Sequence, residues 1–196
     1  MPHLIPLDRQ VRMRWRNGRG EAREIAAWPA GSTLETFEWR ISVATVTEDG
    51  PFSRFPGVVR TIALLDGAGL CLEGGTKCIE LGRRFAVATC AGDEEMHCKL
   101  LGGEVQVLNV MVRDSAHARL TAIDTAACVV RPARFRAVIA AHGRVECRVH
   151  DDVFTLESGD ALLLDGARES DAPVHARLLD SPCGAVAVAI DTRDAA

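Results

Sequence analysis

Between Phe37 and Thr47 the chain alternates with a period of two. This puts Arg40, Ser42 and the small Ala44 on one side of a strand and Phe37, Trp39, Ile41 and Val43 on the other. A guanidinium and a hydroxyl beside so small a residue form a clamp for a small acid, because the guanidinium fork matches a carboxylate bidentately. The alternative is an outward face on which Arg40 pairs with Glu38 or another surface acid. Arg60, at the start of a later β-rich segment, is a candidate second cation for a dicarboxylate; otherwise it is a solvated strand end. Asn109 shares a strand face with Val105, Val107 and Met111, where a buried amide must find a partner, either backbone at a bulge or a ligand. Trp15 and Asn17 flank Arg16 ahead of Gly18 and Gly20, and offer an aromatic wall and an amide that both donates and accepts. A Trp15 that merely caps a barrel is the structural alternative. Phe52 and Ser53, with Phe55, lie in a stiff stretch containing Pro51 and Pro56; the rings either seal a ligand or anchor a long connection on the core.

Other chemistries find less support. The six histidines contain no His-x-His pair, and the strand after Gly67 that would carry one offers only Cys71 and Glu73. A set such as His97, Cys98 and Cys90 fits no standard zinc spacing. No metal ligand, cofactor or catalytic residue is therefore assigned. No Gly-x-Ser-x-Gly or Walker string occurs, and Glu38, Glu73 and His97 are the available general bases. A net charge of -4 supplies no basic excess for a phosphate backbone, which excludes nucleic acid as a partner. No stretch approaches the roughly 18 apolar residues of a membrane span and no secretory signal opens the chain, so a cytoplasmic location without membrane partners is expected. The seven cysteines, an odd number without a Cys-x-x-Cys pair, read as small buried hydrophobes rather than a disulfide framework. A homodimer is compatible with the sequence.

The elements that must position these residues are short strands. Alternating or β-branched runs recur from 58–65 through 186–190, and the breaks between them carry Asp-Gly, Gly-Gly and Ser-Gly-Asp turns. No segment sustains a helical period, so any helix is one or two turns long. The Gly67 turn with its Cys71 strand lies over the Gly143 turn with its Cys147 strand. Further matches are Ile79 with Phe154, Cys98-Lys99-Leu100-Leu101 with Ala176-Arg177-Leu178-Leu179, and Val110 with Ile190. Landmarks in the same order at similar spacing read as two copies of one module. The predicted fold is all-β, a double cupin of two tandem jelly-roll barrels (double-stranded β-helices) with little helix. Residues 1–115 form the N-terminal barrel and 116–196 the C-terminal one, packed as one compact unit. Ala189 aligns with Asn109, so the second barrel is expected to be an apolar copy without a site.

Several longer strings resemble the HutD/Ves family of bacterial cupin-like proteins. They are Trp15-Arg16-Asn17-Gly18-Arg19-Gly20, Arg23-Glu24-Ile25, Phe37-Glu38-Trp39-Arg40-Ile41-Ser42, the stretch Asp49 to Gly57, and Leu108-Asn109-Val110-Met111-Val112-Arg113. The family usually has Lys and Gly where this chain has Arg16 and Arg19. The resemblance implies a double cupin associated with bacterial histidine utilisation. On that basis a small anionic metabolite, such as an N-formimino or N-formyl glutamate, is the expected partner of Trp15, Asn17, Arg40, Ser42, Phe52, Ser53, Arg60 and Asn109, with a regulatory role. The alternative is a metal-independent isomerase or hydrolase acting on a similar acid.

Overall fold

The computed structural model describes residues 1–15, 20–113, 116–165, 172–181 and 183–192. Among them the only helical element is a single 3-10 turn, Leu7–Arg9, and the rest of the regular structure is strand. In chain order the strands are β1 (His3–Ile5), β2 (Val11–Arg14), β3 (Gly20–Trp28), β4 (Trp39–Val46), β5 (Gly50–Phe52), β6 (Val58–Asp66), β7 (Leu70–Gly74), β8 (Lys77–Leu81), β9 (Val87–Ala91) and β10 (Met96–Leu100). They continue with β11 (Val105–Arg113), β12 (Ala116–Ile123), β13 (Ala127–Val130), β14 (Phe135–His142), β15 (Val145–Val149), β16 (Asp152–Leu156), β17 (Ala161–Asp165), β18 (Val174–Leu178) and β19 (Gly184–Thr192).

The internal repeat is visible in the sheet order. One pair of sheets runs β2-β3-β4-β11-β6-β9 and β5-β10-β7-β8; the other runs β1-β17-β14-β19-β12 and β13-β18-β15-β16. Adding eight to each label from β4 to β11 reproduces the second pair, read in the opposite direction for the larger sheet. The chain is a double cupin. It divides into two compact units, Val11–Asp114 and Met1–Gln10 with Ser115–Ala196. The second unit gains its first residues through β1, which pairs antiparallel with β17, and through Leu7 N and Gln10 Nε2, which donate to Asp160 Oδ1 (2.9 Å) and the Gly159 carbonyl (2.8 Å).

Each barrel closes on its own apolar interior. In the first, Val46, Ile62, Leu64, Leu70, Leu72, Leu81 and Val105 form the core, and in the second Val138, Val145, Cys147, Leu156, Leu162 and Val174 do so. The sequence match of Cys71 with Cys147 is off by one residue. Lys99 pairs with Cys71, whereas its counterpart Arg177 pairs with Glu146, so Leu72 is the equivalent of Cys147. A one-residue slip reverses the face of every side chain. Cys147 therefore lies in the second core, and Cys71 lies on the side of β7 away from the first core, to which Leu70 and Leu72 belong.

Candidate functional site

The site is laid out by register in the six-stranded sheet. Met111 of β11 lies opposite both Arg40 of β4 and Arg60 of β6, while Asn109, two residues away on the same face, lies opposite Ser42 and Ile62. With strands about 4.8 Å apart, this row sets the two arginine backbones about 10 Å from one another on one face. That face turns into the first barrel, where the small Ala44 and the thin side chains of Val107 and Cys98 leave a cavity of about 550 Å³. Among the residues lining it are Trp15, Arg40, Ser42, Phe52, Ser53, Arg60 and Asn109. Asn17 lies outside the described residues.

Arg40 is buried at 6% exposure, and its Nε donates to Glu24 Oε2 at 2.6 Å. Glu24 comes from β3, across the sheet, instead of from Glu38. One edge of the guanidinium is thereby fixed by a charge-assisted bond, and Nη2 is left buried without a partner. Arg60 is no solvated strand end: it is 5% exposed. Its Nε donates to Asn109 Oδ1 (3.3 Å) and its Nη1 to the Ser53 carbonyl (2.8 Å). Its guanidinium carbon lies 3.7 Å from the centre of the Phe52 ring and 5.3 Å from that of Phe55. The aromatic residues of the proline-bounded stretch thus hold a cation against their π faces, and Ser53 contributes its main chain, its side chain being exposed. No carboxylate pairs with Arg60 among the described residues. Burial lowers its pKa to about 10, with the facing Cys90 thiol a smaller influence the other way. The carboxylates near the cavity are Glu24, engaged by Arg40, and Glu48, exposed among the lining residues.

Trp15 closes one wall and requires Gly20. A Cβ there would sit 2.3 Å from the Thr45 carbonyl and 3.0 Å from the indole ring, so any side chain would displace backbone. A cupin metal does not fit this cavity. It offers no imidazole and a single thiol, Cys98, whose pKa burial raises to about 11, beside two guanidinium groups that repel a cation. Among the described residues no three His, Cys, Asp or Glu side chains converge at metal-binding range, and no helix is long and apolar enough to cross a membrane.

The second barrel differs from expectation in two respects. Its core is apolar, yet Arg136, at the position of Ile62, is fully buried and donates through Nη1 to the Ala172 carbonyl. Ala189 stands between Arg136 and Arg119 where Asn109 stands between Ile62 and Ser42. A cavity also remains at the equivalent place, about 340 Å³ in volume and lined by Arg119, Thr121, Cys128, Ala187 and Ala189, so the second barrel is not filled.

A family model described as HutD matches residues 8–179. This chain belongs to the HutD family. An uncharacterised 21.2 kDa protein encoded in the hutC 3' region of Pseudomonas putida is 32% identical over 168 residues, covering 85% of this chain and 88% of that one. Protein Ves of Citrobacter koseri is 39% identical over 112 residues, which span 56% of this chain and 58% of its own length. The structure of HutD from Pseudomonas fluorescens SBW25, in a formate condition, superposes with a TM-score of 0.82 at 27% identity, covering 98% of this chain and 100% of that one.

In this HutD chain the residue that sequence reasoning missed is Glu24. It lies within the Arg23-Glu24-Ile25 string that carries the resemblance, but segment 20–28 lacks clean alternation because the β3–β4 register shifts between Glu24 and Ala26. Glu24→Gln keeps the shape and removes the charge that orients Arg40. It is expected to weaken binding of a small carboxylate about 5- to 10-fold, as read by titration calorimetry, with little change in melting temperature, since Glu24 is partly solvated. An unchanged affinity would show that Arg40 needs no orienting partner.

Proposed function

We propose that this HutD protein binds a small anionic metabolite in its first barrel. Arg40 and Arg60 read the carboxylates, Ser42 and the Asn109 amide read a neutral polar group between them, and Trp15 and Phe52 wall the apolar part of the ligand. The observation that supports this most is the pair of buried guanidinium groups facing one cavity, Arg60 without a carboxylate and Arg40 with an unpartnered Nη2. A buried charge without a counter-charge costs several kcal/mol, and an anionic ligand offsets that cost in the bound state. A few convergent polar groups in a largely apolar cavity of this size suit a small molecule.

The HutD membership and the likeness to a protein encoded beside hutC support a narrower reading. The ligand is an intermediate of histidine degradation, such as N-formyl or N-formimino glutamate, and binding moderates histidine utilisation. Calorimetry with N-formylglutamate, N-formiminoglutamate, glutamate and urocanate tests both levels. Saturable binding of an N-substituted glutamate, tighter than glutamate by about tenfold or more, is the expected result, because only the substituted nitrogen offers the amide-like group that Asn109 matches. The ligand should be recovered chemically unchanged after prolonged incubation. No heat from any of the four at millimolar concentration would remove the pathway assignment. Binding of a cationic analogue in their place would remove the anion reading altogether.

A further inference from the structure

We propose that Cys71 and Cys78 form a reversible disulfide on oxidation by a peroxide, making the β7–β8 hairpin a modification site separate from the ligand cavity. The two Sγ atoms lie 2.7 Å apart, already in hydrogen-bonding contact. The register explains how they meet. Cys71 lies opposite Glu80 and Cys78 opposite Glu73, so the thiols occupy diagonal positions on one face of a two-stranded hairpin. That face is the outer one, because Leu70, Leu72, Ile79 and Leu81 take the alternate positions and pack into the first core. The thiols of Cys90, Cys98 and Cys147 are buried elsewhere, and those of Cys128 and Cys183 are half-buried in the other unit.

The two partners differ in a way that assigns their roles. Cys78 is exposed and Cys71 buried. Cys78 therefore meets the oxidant: its thiolate sulfur attacks one peroxide oxygen, the O–O bond breaks, one water leaves after proton uptake, and a sulfenic acid remains. Cys71 then attacks the sulfenic sulfur, the S–S bond forms, the S–O bond breaks, and the oxygen departs as a second water with the Cys71 proton. Two thiols and one peroxide become one disulfide and two waters. The Cys78 hydrogen bond, followed by burial and the nearby Glu73 and Glu80, pushes Cys71 up to about 11, which keeps it protonated until its partner is oxidised. Lys99 of β10 and Lys77 of β8 are engaged by Glu73 and Glu94, so neither is free to hold an anionic oxidant such as oxidised glutathione. Neutral hydrogen peroxide is the oxidant class that fits.

The test treats the full-length protein with hydrogen peroxide, blocks the remaining thiols, and maps the peptides without reductant. The expected result is loss of two of the seven thiols as a single linkage between the peptides holding Cys71 and Cys78, restored by dithiothreitol. Cys78→Ser and Cys71→Ser should each abolish the linkage, with melting curves reporting whether each variant is folded. The peptide map of the unsubstituted protein decides the question even if a variant fails to fold. A linkage through any other cysteine, oxidation of Cys78 to sulfinic acid without cross-linking, or no thiol loss at concentrations that oxidise free cysteine overturns the proposal.

Discussion

Arg60→Met is expected to weaken binding of a small carboxylate roughly 30-fold or more while leaving the melting temperature of the ligand-free protein level or higher. Truncating one member of a buried charge pair costs about 2–5 kcal/mol of binding, and in this cavity the other member is the ligand. Stability behaves differently. The substitution removes hydrogen bonds to Ser53 and Asn109, about 1 kcal/mol each, but also removes a buried cation that no carboxylate neutralises. Methionine fills the same slot beside Phe52 and Phe55 with a polarisable sulfur that packs well on aromatic rings. The pH dependence has a definite sign. Burial lowers the Arg60 pKa to about 10 in the folded protein, below the ordinary arginine range, so the unfolded chain holds the proton more tightly. Its contribution to ligand-free stability is favourable above the ordinary arginine pKa and is lost as the pH falls through about 10. Binding runs the other way: an anion favours the charged form, so affinity is full below about 10 and falls above it. Calorimetry across that range, with melting curves of both proteins, checks all three statements. A variant that binds like the parent, or that melts as low as a core variant, would place the anion elsewhere.

Leu156→Ala should produce the opposite pattern. Leu156 is fully buried in the core of the second barrel, on β16, opposite Val145 of β15. Removing most of its side chain leaves a cavity that close-packed neighbours only partly fill, a loss of about 3 kcal/mol. For a chain of 196 residues that corresponds to a melting temperature lower by roughly 6–12 °C. Affinity for the anion, measured well below the transition, should stay within about twofold, because every residue lining the candidate cavity belongs to Val11–Asp114. A large loss of affinity in the folded variant would show that the second barrel takes part in binding.

Much of this molecule is legible in the sequence. Clean alternation identified β4, β6 and β11, and Gly-containing turns placed the hairpins, because a strand buried on a face must repeat every two residues. The strands that were not anticipated are short or irregular. β1, β2, β5 and β13 have three or four residues, too few for a period to emerge, and β9, five residues long, is mostly small side chains without a clear apolar alternation. β3 is long enough, but the register shift between Glu24 and Ala26 and its Glu, Arg and Ala content hide it. That strand carries the partner of Arg40, so losing the element meant losing the residue.

By itself, the sequence determined that the chain is a duplicated all-β fold and which residues share a face of each strand. Only the tertiary structure decided which face looks inward. In β4 both faces are buried, Trp39, Ile41 and Val43 on one and Arg40, Ser42 and Ala44 on the other, so alternation separates two sets without saying which lines the cavity. The burial of Arg60 was equally undecided, since it depends on Phe52, Ser53 and Phe55 folding over it from a segment that shows no period. The same holds for Cys71, whose likeness to Cys147 in sequence conceals an opposite orientation. A period of two is symmetric between inside and outside, and a shift of one residue exchanges them, so only the pairing of strands distant in the chain resolves the choice.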